Sequence, residues 1–277
     1  MKRALKSLIR SAVPRRYHPA LERLWARNRY LFLFPLYAGN QFACPFCGGR
    51  FRKFMPRGLH FPVLKEERVI GAGYRPNAVC PRCYSFDRER LVYLYLERKT
   101  DLFSRLARVL HVAPEVKLGQ ALMARPNIDY LSLDLAAGRA MAMADIAHLP
   151  HADGAFDVVI CNHVLEHVPD DREPMSELYR VLRSGGYAIL QVPVALKLNR
   201  TYEDPTITAP EQRAEKFGQA DHVRLYGRDY PQRLERAGFS VEEYSFRDEF
   251  GEAFARRYAL LDDEKLFVCR KPALNGG

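Results

Sequence analysis

Residues 156–160, Phe-Asp-Val-Val-Ile, form a short apolar, β-branched run that reads as a buried strand. Similar runs recur at 108–112, 130–134 and 187–192, with a helical pattern at 174–182 before the last. Alternation of this kind calls for a mostly parallel sheet with right-handed crossovers. After a helical pattern at Tyr230–Arg236, two further strand patterns follow at 237–244 and 265–270. Open α/β sheets place their ligands beyond the carboxyl ends of strands. Asn162 and His163 sit where the strand at 156–160 would end, so chemistry is expected there.

A chain of 277 residues can hold one full α/β domain plus a small extra module. Its net charge of +10 is unevenly spread. Residues 1–100 carry 21 basic and 6 acidic side chains; the remainder carries 22 and 27. A basic front third suits an anionic partner, RNA or a membrane surface, set against the plainer reading of a solvated basic face. Residues 2–13 place Leu5, Leu8, Ile9 and Ala12 on one helical stripe, with Lys2, Arg3, Lys6 and Arg10 mostly opposite. A second helical stretch at 20–29 carries Leu21, Leu24 and Trp25, and an aromatic run at 30–37 follows. This arm, residues 1–40, can rest on an anionic lipid surface or pack on the α/β domain. The first residues lack the apolar core of a secretory signal. The longest apolar run has eight residues, where a bilayer takes about 20. The expectation is a cytoplasmic protein, with peripheral contact at the inner membrane surface as the alternative.

Four of the six cysteines form two pairs, Cys44-Pro-Phe-Cys47 and Cys80-Pro-Arg-Cys83. Each Cys-x-x-Cys turn lets two thiolates converge, and two such knuckles complete a tetrahedral zinc site. A redox dithiol is the alternative. With four thiolates the site is closed, so its Zn2+ should hold the fold and His60 should not be a ligand. The 32 residues between the knuckles leave room for short strands at 51–54 and 69–74. The module is expected over 41–85 and a larger domain over 86–275. Between them a helix opens after Ser85, with Asp87 and Glu89 in its first turn and Arg98 and Lys99 in its last. No Gly/Ser linker separates the two, so rigid packing is expected.

The run Cys-Asn-His-Val-Leu-Glu-His-Val at 161–168 resembles the fourth motif of class I S-adenosylmethionine-dependent methyltransferases, the small-molecule branch in particular. The likeness covers about residues 105–271. Leu131-Ser-Leu-Asp134-Leu135 resembles the second motif, whose acidic residue holds the ribose hydroxyls; a strand-end cap is its plainer reading. Asp145-Ile146 matches the pair that flanks adenine, and Asn162-His163 supplies the wall beside the methionine half. The helix, paired-glycine turn and strand at 181–190 also recur in that family. The resemblance implies a seven-stranded Rossmann-like sheet whose final strand runs antiparallel, fused here to the small zinc-binding module. It also implies S-adenosylmethionine as cofactor.

One station departs from the pattern. Ala113 and Glu115 stand where glycines are expected, and His111 where an acid is common. Side chains there limit the approach of backbone to a ligand, and Pro114 removes a donor. Ala113 is still small, and Glu115 could accept from the cofactor's ammonium. Beyond the strand ending at Val192, a long polar segment at 199–209 leads to His222 and Tyr226. Long loops of this kind often serve as lids, so these two are the acid–base or orienting candidates. The plainer reading there is a cap and ion-pair patch of Asp221 and Arg224. The implied reaction is methyl transfer to an oxygen or nitrogen of a small-molecule or glycan acceptor. One rival is an RNA base methyltransferase using the basic module; the other is a catalytically silent scaffold.

Overall fold

A computed structural model describes residues 34–273. The helical patterns at 2–13 and 20–29 and the start of the aromatic run lie outside the described residues. The central sheet has seven strands: β1 (Ala107–Val112), β2 (Ile128–Asp134), β3 (Ala142–Met143), β4 (Phe156–Asn162), β5 (Leu182–Gln191), β6 (Ser240–Tyr244) and β7 (Leu266–Arg270). Their spatial order is β6-β7-β5-β4-β1-β2-β3. The five strands from β5 to β3 are parallel, and β7 enters antiparallel between β5 and β6. The order reverses between β1 and β4, and at such a switch point the crevice outside the strand ends binds ligands.

Strands this apolar form because both faces of the sheet are covered. Val109, Val158 and Ile160 join one core cluster; their neighbours Leu110, Val159 and Cys161 join the other. Successive side chains point to opposite faces, so burial on both sides needs a continuous apolar run. One face is covered by helix α1 (Asp87–Lys99) through Leu91 and Leu94 and by α2 (Val116–Met123) through Leu118 and Leu122. The other is covered by α3 (Arg172–Val181) and, after α4 (Pro210–Phe217), by α5 (Tyr230–Arg236), through Met175, Leu178 and Leu234. β5 starts earlier than the strand expected at 187–192 because the paired glycines lie within it. Gly185 has φ of 72°, and a Cβ on Gly186 would lie 2.8 Å from the Asp157 carbonyl oxygen.

Among the described residues, no helix is long and apolar enough to cross a membrane. The front module is a set of two-stranded ladders. Ala38–Ala43 pairs with Arg50–Phe51, and Met55–Arg57 pairs with Arg75–Val79. The strand expected at 69–74 is only Val69–Ile70, since Gly71 and Gly73 turn the chain with φ of 84° and 77°. That short strand pairs with Val194–Ala195, just past β5, so the module is laced onto the larger domain at the carboxyl edge of the sheet. Arg90 on α1 fastens it further. Its fully buried guanidinium donates to the carbonyls of Asn77, Ala78, Ser85, Tyr258 and Ala259.

Candidate active site

The two cysteine knuckles are built alike. Gly48 N–H donates to the Cys44 carbonyl and Tyr84 N–H to the Cys80 carbonyl, each at 3.0 Å, and both donors have φ of 65°. Each knuckle therefore turns its two thiols to the same side. The four sulfurs lie within 4.8 Å of one another, with Cys44–Cys83 at 3.5 Å and Cys47–Cys80 at 3.8 Å. His60 stands outside this cluster and stacks on Tyr74 at 4.7 Å.

At the carboxyl end of β1 the loop lacks its glycines yet makes the same turn. Ala113 itself adopts φ of 45°, and its N–H donates to the Leu133 carbonyl at 2.7 Å. A left-handed Ala costs roughly 1–2 kcal/mol, a cost that its small side chain keeps bearable. Glu115 turns inward. His111 Nε2 lies 3.0 Å from its Oε2, and Arg88 Nε lies 3.3 Å from its Oε1. Burial works to raise the Glu115 pKa, but the His111 contact and the Arg88 charge outweigh it and keep the group below the usual carboxylate range. His111 has no exposed surface, so the expectation that it touches the cofactor is corrected: it holds Glu115 and the Tyr130 hydroxyl.

Asp134 closes β2, and its Oδ1 accepts from Ala136 N–H at 2.8 Å, so one oxygen serves the cap and Oδ2 stays free of that bond. Beside it Leu135 and Met143 are 72% and 67% exposed, an apolar surface of the kind an adenine ring covers. Asp145 caps its own turn through Ala147 N–H, whereas Ile146 packs inward in the cluster of Leu133 and Leu149. Ile146 thus offers little side chain to a ligand. Asn162 ends β4 with its Nδ2 3.4 Å from Glu115 Oε2, and His163 follows with φ of 55°.

Several buried polar atoms in this region have no hydrogen-bond partner. Asn162 Oδ1 is one of them, while Arg88 Nε and Glu115 Oε1 meet each other at 3.3 Å as an ion pair without an aligned hydrogen bond. Buried polar atoms are normally paired, so orphans gathered at one strand edge mark where a ligand completes the set. Arg88 escaped the sequence reading because it looks like ordinary charge in a helix's first turn. Glu264 escaped it as well; burial, reinforced by the Asp87 charge, pushes its carboxyl up to about 8.

The acceptor candidates behave differently from each other. Tyr226 is fully buried and donates to Asp171 Oδ2 at 2.7 Å. Arg233 grips the same carboxylate through Nε and Nη2 at 3.0 and 2.7 Å. Tyr226 therefore fixes the start of α3 and presents no face to an acceptor, which corrects its expected catalytic role. Arg224 does not pair with Asp221. It donates to the carbonyls of Leu165, Val168 and Pro169 and to Glu203, clamping the turn after β4. His222 is 6% exposed and sits edge-on to His167, with ring centroids 4.7 Å apart. Burial lowers its pKa below the ordinary imidazole value, with the Glu166 charge pulling the other way.

Residues 120–190 match the family model described as a methyltransferase domain. A probable S-adenosylmethionine-dependent methyltransferase of Mycolicibacterium smegmatis is 32% identical over 125 residues, 45% of this chain and 42% of that protein. Ajmaline N-methyltransferase of Rauvolfia serpentina is 30% identical over 99 residues, 35% of this chain and 30% of that one. Arsenite methyltransferase of Aquipseudomonas alcaligenes is 33% identical over 98 residues, 35% and 26% of the two chains. The chain spans less than half the length of these curated relatives, and the family model's match falls in the sheet domain, outside the cysteine module. The stretch from α2 to β5, which holds the switch point, is thus similar to S-adenosylmethionine-dependent methyltransferase domains.

Proposed function

We propose that this chain moves a methyl group from S-adenosylmethionine to an oxygen or nitrogen of a small-molecule or glycan acceptor. The observation that carries this reading is the buried, unpartnered Asn162 Oδ1 at the end of β4, beside the Arg88–Glu115 ion pair, which meets at 3.3 Å without an aligned hydrogen bond. The amino-acid end of the cofactor is a zwitterion. Its carboxylate suits a guanidinium; its ammonium suits a carboxylate and an amide oxygen. Asp134 Oδ2 suits the ribose hydroxyls, and Leu135 with Met143 suits the base. When bound, the cofactor supplies a methyl carbon made electrophilic by a sulfonium. The chain's own part is to align that carbon with the acceptor and, for a hydroxyl, to arrange loss of its proton. His222 is assigned to that proton, because its segment crosses the turn after β4, where Val223 N–H donates to the Glu166 carbonyl and His222 meets the His167 ring.

Calorimetric titration with S-adenosylhomocysteine tests the cofactor half. Asp134→Ala is expected to weaken binding at least tenfold, about 1.4 kcal/mol. Glu115→Gln, which keeps the shape but removes the charge, is expected to do the same, because a charge-assisted contact to the ammonium is lost. Unchanged affinity in both variants would leave Asp134 as a cap and Glu115 as a structural anion. Failure of the wild-type chain to bind at all would favour the silent scaffold.

We assign one zinc to Cys44, Cys47, Cys80 and Cys83. A tetrahedral ion with bonds of about 2.3 Å spaces its sulfurs by about 3.8 Å, close to the separations of 3.5 and 3.8 Å here. No ligand position is left over, so its role is structural. The charge of the first 100 residues favours a second reading, in which the acceptor is an RNA base. RNA affinity that falls steeply with salt would support it, since phosphate contacts release counterions. Retention on anionic vesicles through residues 1–40 would instead place the excess charge at a membrane.

A further inference from the structure

Glu166 is a residue that methyl transfer leaves unexplained. It is 1% exposed, yet neither carboxylate oxygen receives an aligned hydrogen bond. His163 Nδ1 approaches Oε1 to 3.3 Å without that alignment. Among the described residues, no lysine or arginine lies within ion-pair distance of it. An anion buried in this way costs several kcal/mol unless a cation meets it. The nearest guanidinium on the facing segment, Arg224, is committed to three carbonyls and Glu203.

What faces the carboxylate is imidazole. One ligand atom from each of Glu166, His167 and His222 lies within 4.8 Å of the other two. His167 Nδ1 is 3.3 Å from the Asp221 carbonyl oxygen, and an imidazole that donates one nitrogen to a carbonyl keeps the other for a metal. The two supplying segments are locked together before any ion arrives. Val223 N–H donates to the Glu166 carbonyl at 2.9 Å, and Arg224 bonds the carbonyls on either side. The cluster is closed on the Glu166 side and opens along half-exposed His167.

We propose that Glu166, His167 and His222 bind a first-row divalent cation, Mn2+, Fe2+, Co2+ or Zn2+, separate from the cysteine site. Two imidazoles and one carboxylate form a harder donor set than four thiolates, and three ligands leave coordination positions open. His163, touching Glu166 from behind, orients the carboxylate. The role of the ion rests on the methyl-transfer reading; its binding does not. An acceptor hydroxyl bound to the ion loses its proton to solvent more readily. The oxygen then forms the bond to the methyl carbon, and the electron pair of the breaking C–S bond stays on sulfur. With the ion bound, the part assigned to His222 in loss of the acceptor's proton is exerted through the ion.

The test is Mn2+ titration of the full chain brought to one zinc per chain, which the four thiolates take first, followed by loss of the free-ion paramagnetic resonance signal. Thiolate sites disfavour Mn2+, so the cysteine cluster stays silent. The expected result is one Mn2+ per chain, with affinity at least tenfold weaker in both Glu166→Gln and His222→Gln. S-adenosylhomocysteine affinity and thermal midpoint, measured alongside, show that each variant is folded. His167→Asn, altered on the open side, supplies a further folded variant with the same expected loss. Absence of Mn2+ binding in the wild-type chain, or binding that survives all three substitutions, overturns the site while leaving methyl transfer intact. Loss of cofactor binding in the wild-type chain, with Mn2+ still bound, would count against the transferase reading alone.

Discussion

Cys80→Ser is expected to release the zinc and to unravel the front module. Cys80 has no exposed surface, and it lies between two of the carbonyls that Arg90 holds, those of Ala78 and Ser85. Free energy of metal binding at a closed thiolate site is folding energy. Losing it also removes anionic charge from beside a fully buried guanidinium. The Arg90 pKa is lowered first by burial, and the charges of Asp87 and the cysteines oppose that. A cost of at least about 3 kcal/mol follows, because breaking a buried charge arrangement from one side strands the other. In a chain of this size that is a fall of roughly 6–12 °C in thermal midpoint. Scanning calorimetry with elemental analysis checks it, and chelation of the wild-type metal should reproduce the fall. An unchanged midpoint in a zinc-free variant would remove the structural role.

The second large effect is on turnover. His222→Gln is expected to lower kcat by about 10²-fold, the usual contribution of one group that handles the acceptor's proton. Affinity for S-adenosylhomocysteine should stay within a factor of about two, since the orphaned atoms of the cofactor edge belong to other residues. If kcat and cofactor affinity fall together, His222 is a packing residue for the turn after β4. Tyr226→Phe provides the contrast. It removes a buried hydroxyl from Asp171 while Arg233 remains, so it should cost stability more than rate.

The sheet was legible because parallel strands must be apolar on both sides, and runs such as Val158-Val159-Ile160 leave few other fates. The strand-end positions of Asp134 and Asn162 were legible because each polar residue closes an apolar run. The glycine-poor loop was misleading, since Ala113 takes the left-handed turn that the motif reserves for glycine. Tyr226 and His222 stand four residues apart in similar polar sequence, and their opposite fates depend on the distant Asp171 and Arg233. Val69–Ile70 is too short to show a period, so its partnership with Val194–Ala195 leaves no local signal. Glu166 hides for the same reason: one acidic residue between Leu and His reads as surface until the segment from Gln219 onward folds over it.

The Arg90 clamp has a consequence for how the chain is made. Two of its five carbonyl partners, Tyr258 and Ala259, are synthesised 168 and 169 residues after it. At translation rates of about 5–20 residues per second, the guanidinium waits on the order of 10–30 s for them. During that interval the cysteine knuckles are complete in sequence but cannot dock. The nascent front module is thus exposed to chaperones and proteases until the segment of Tyr258 and Ala259 has emerged.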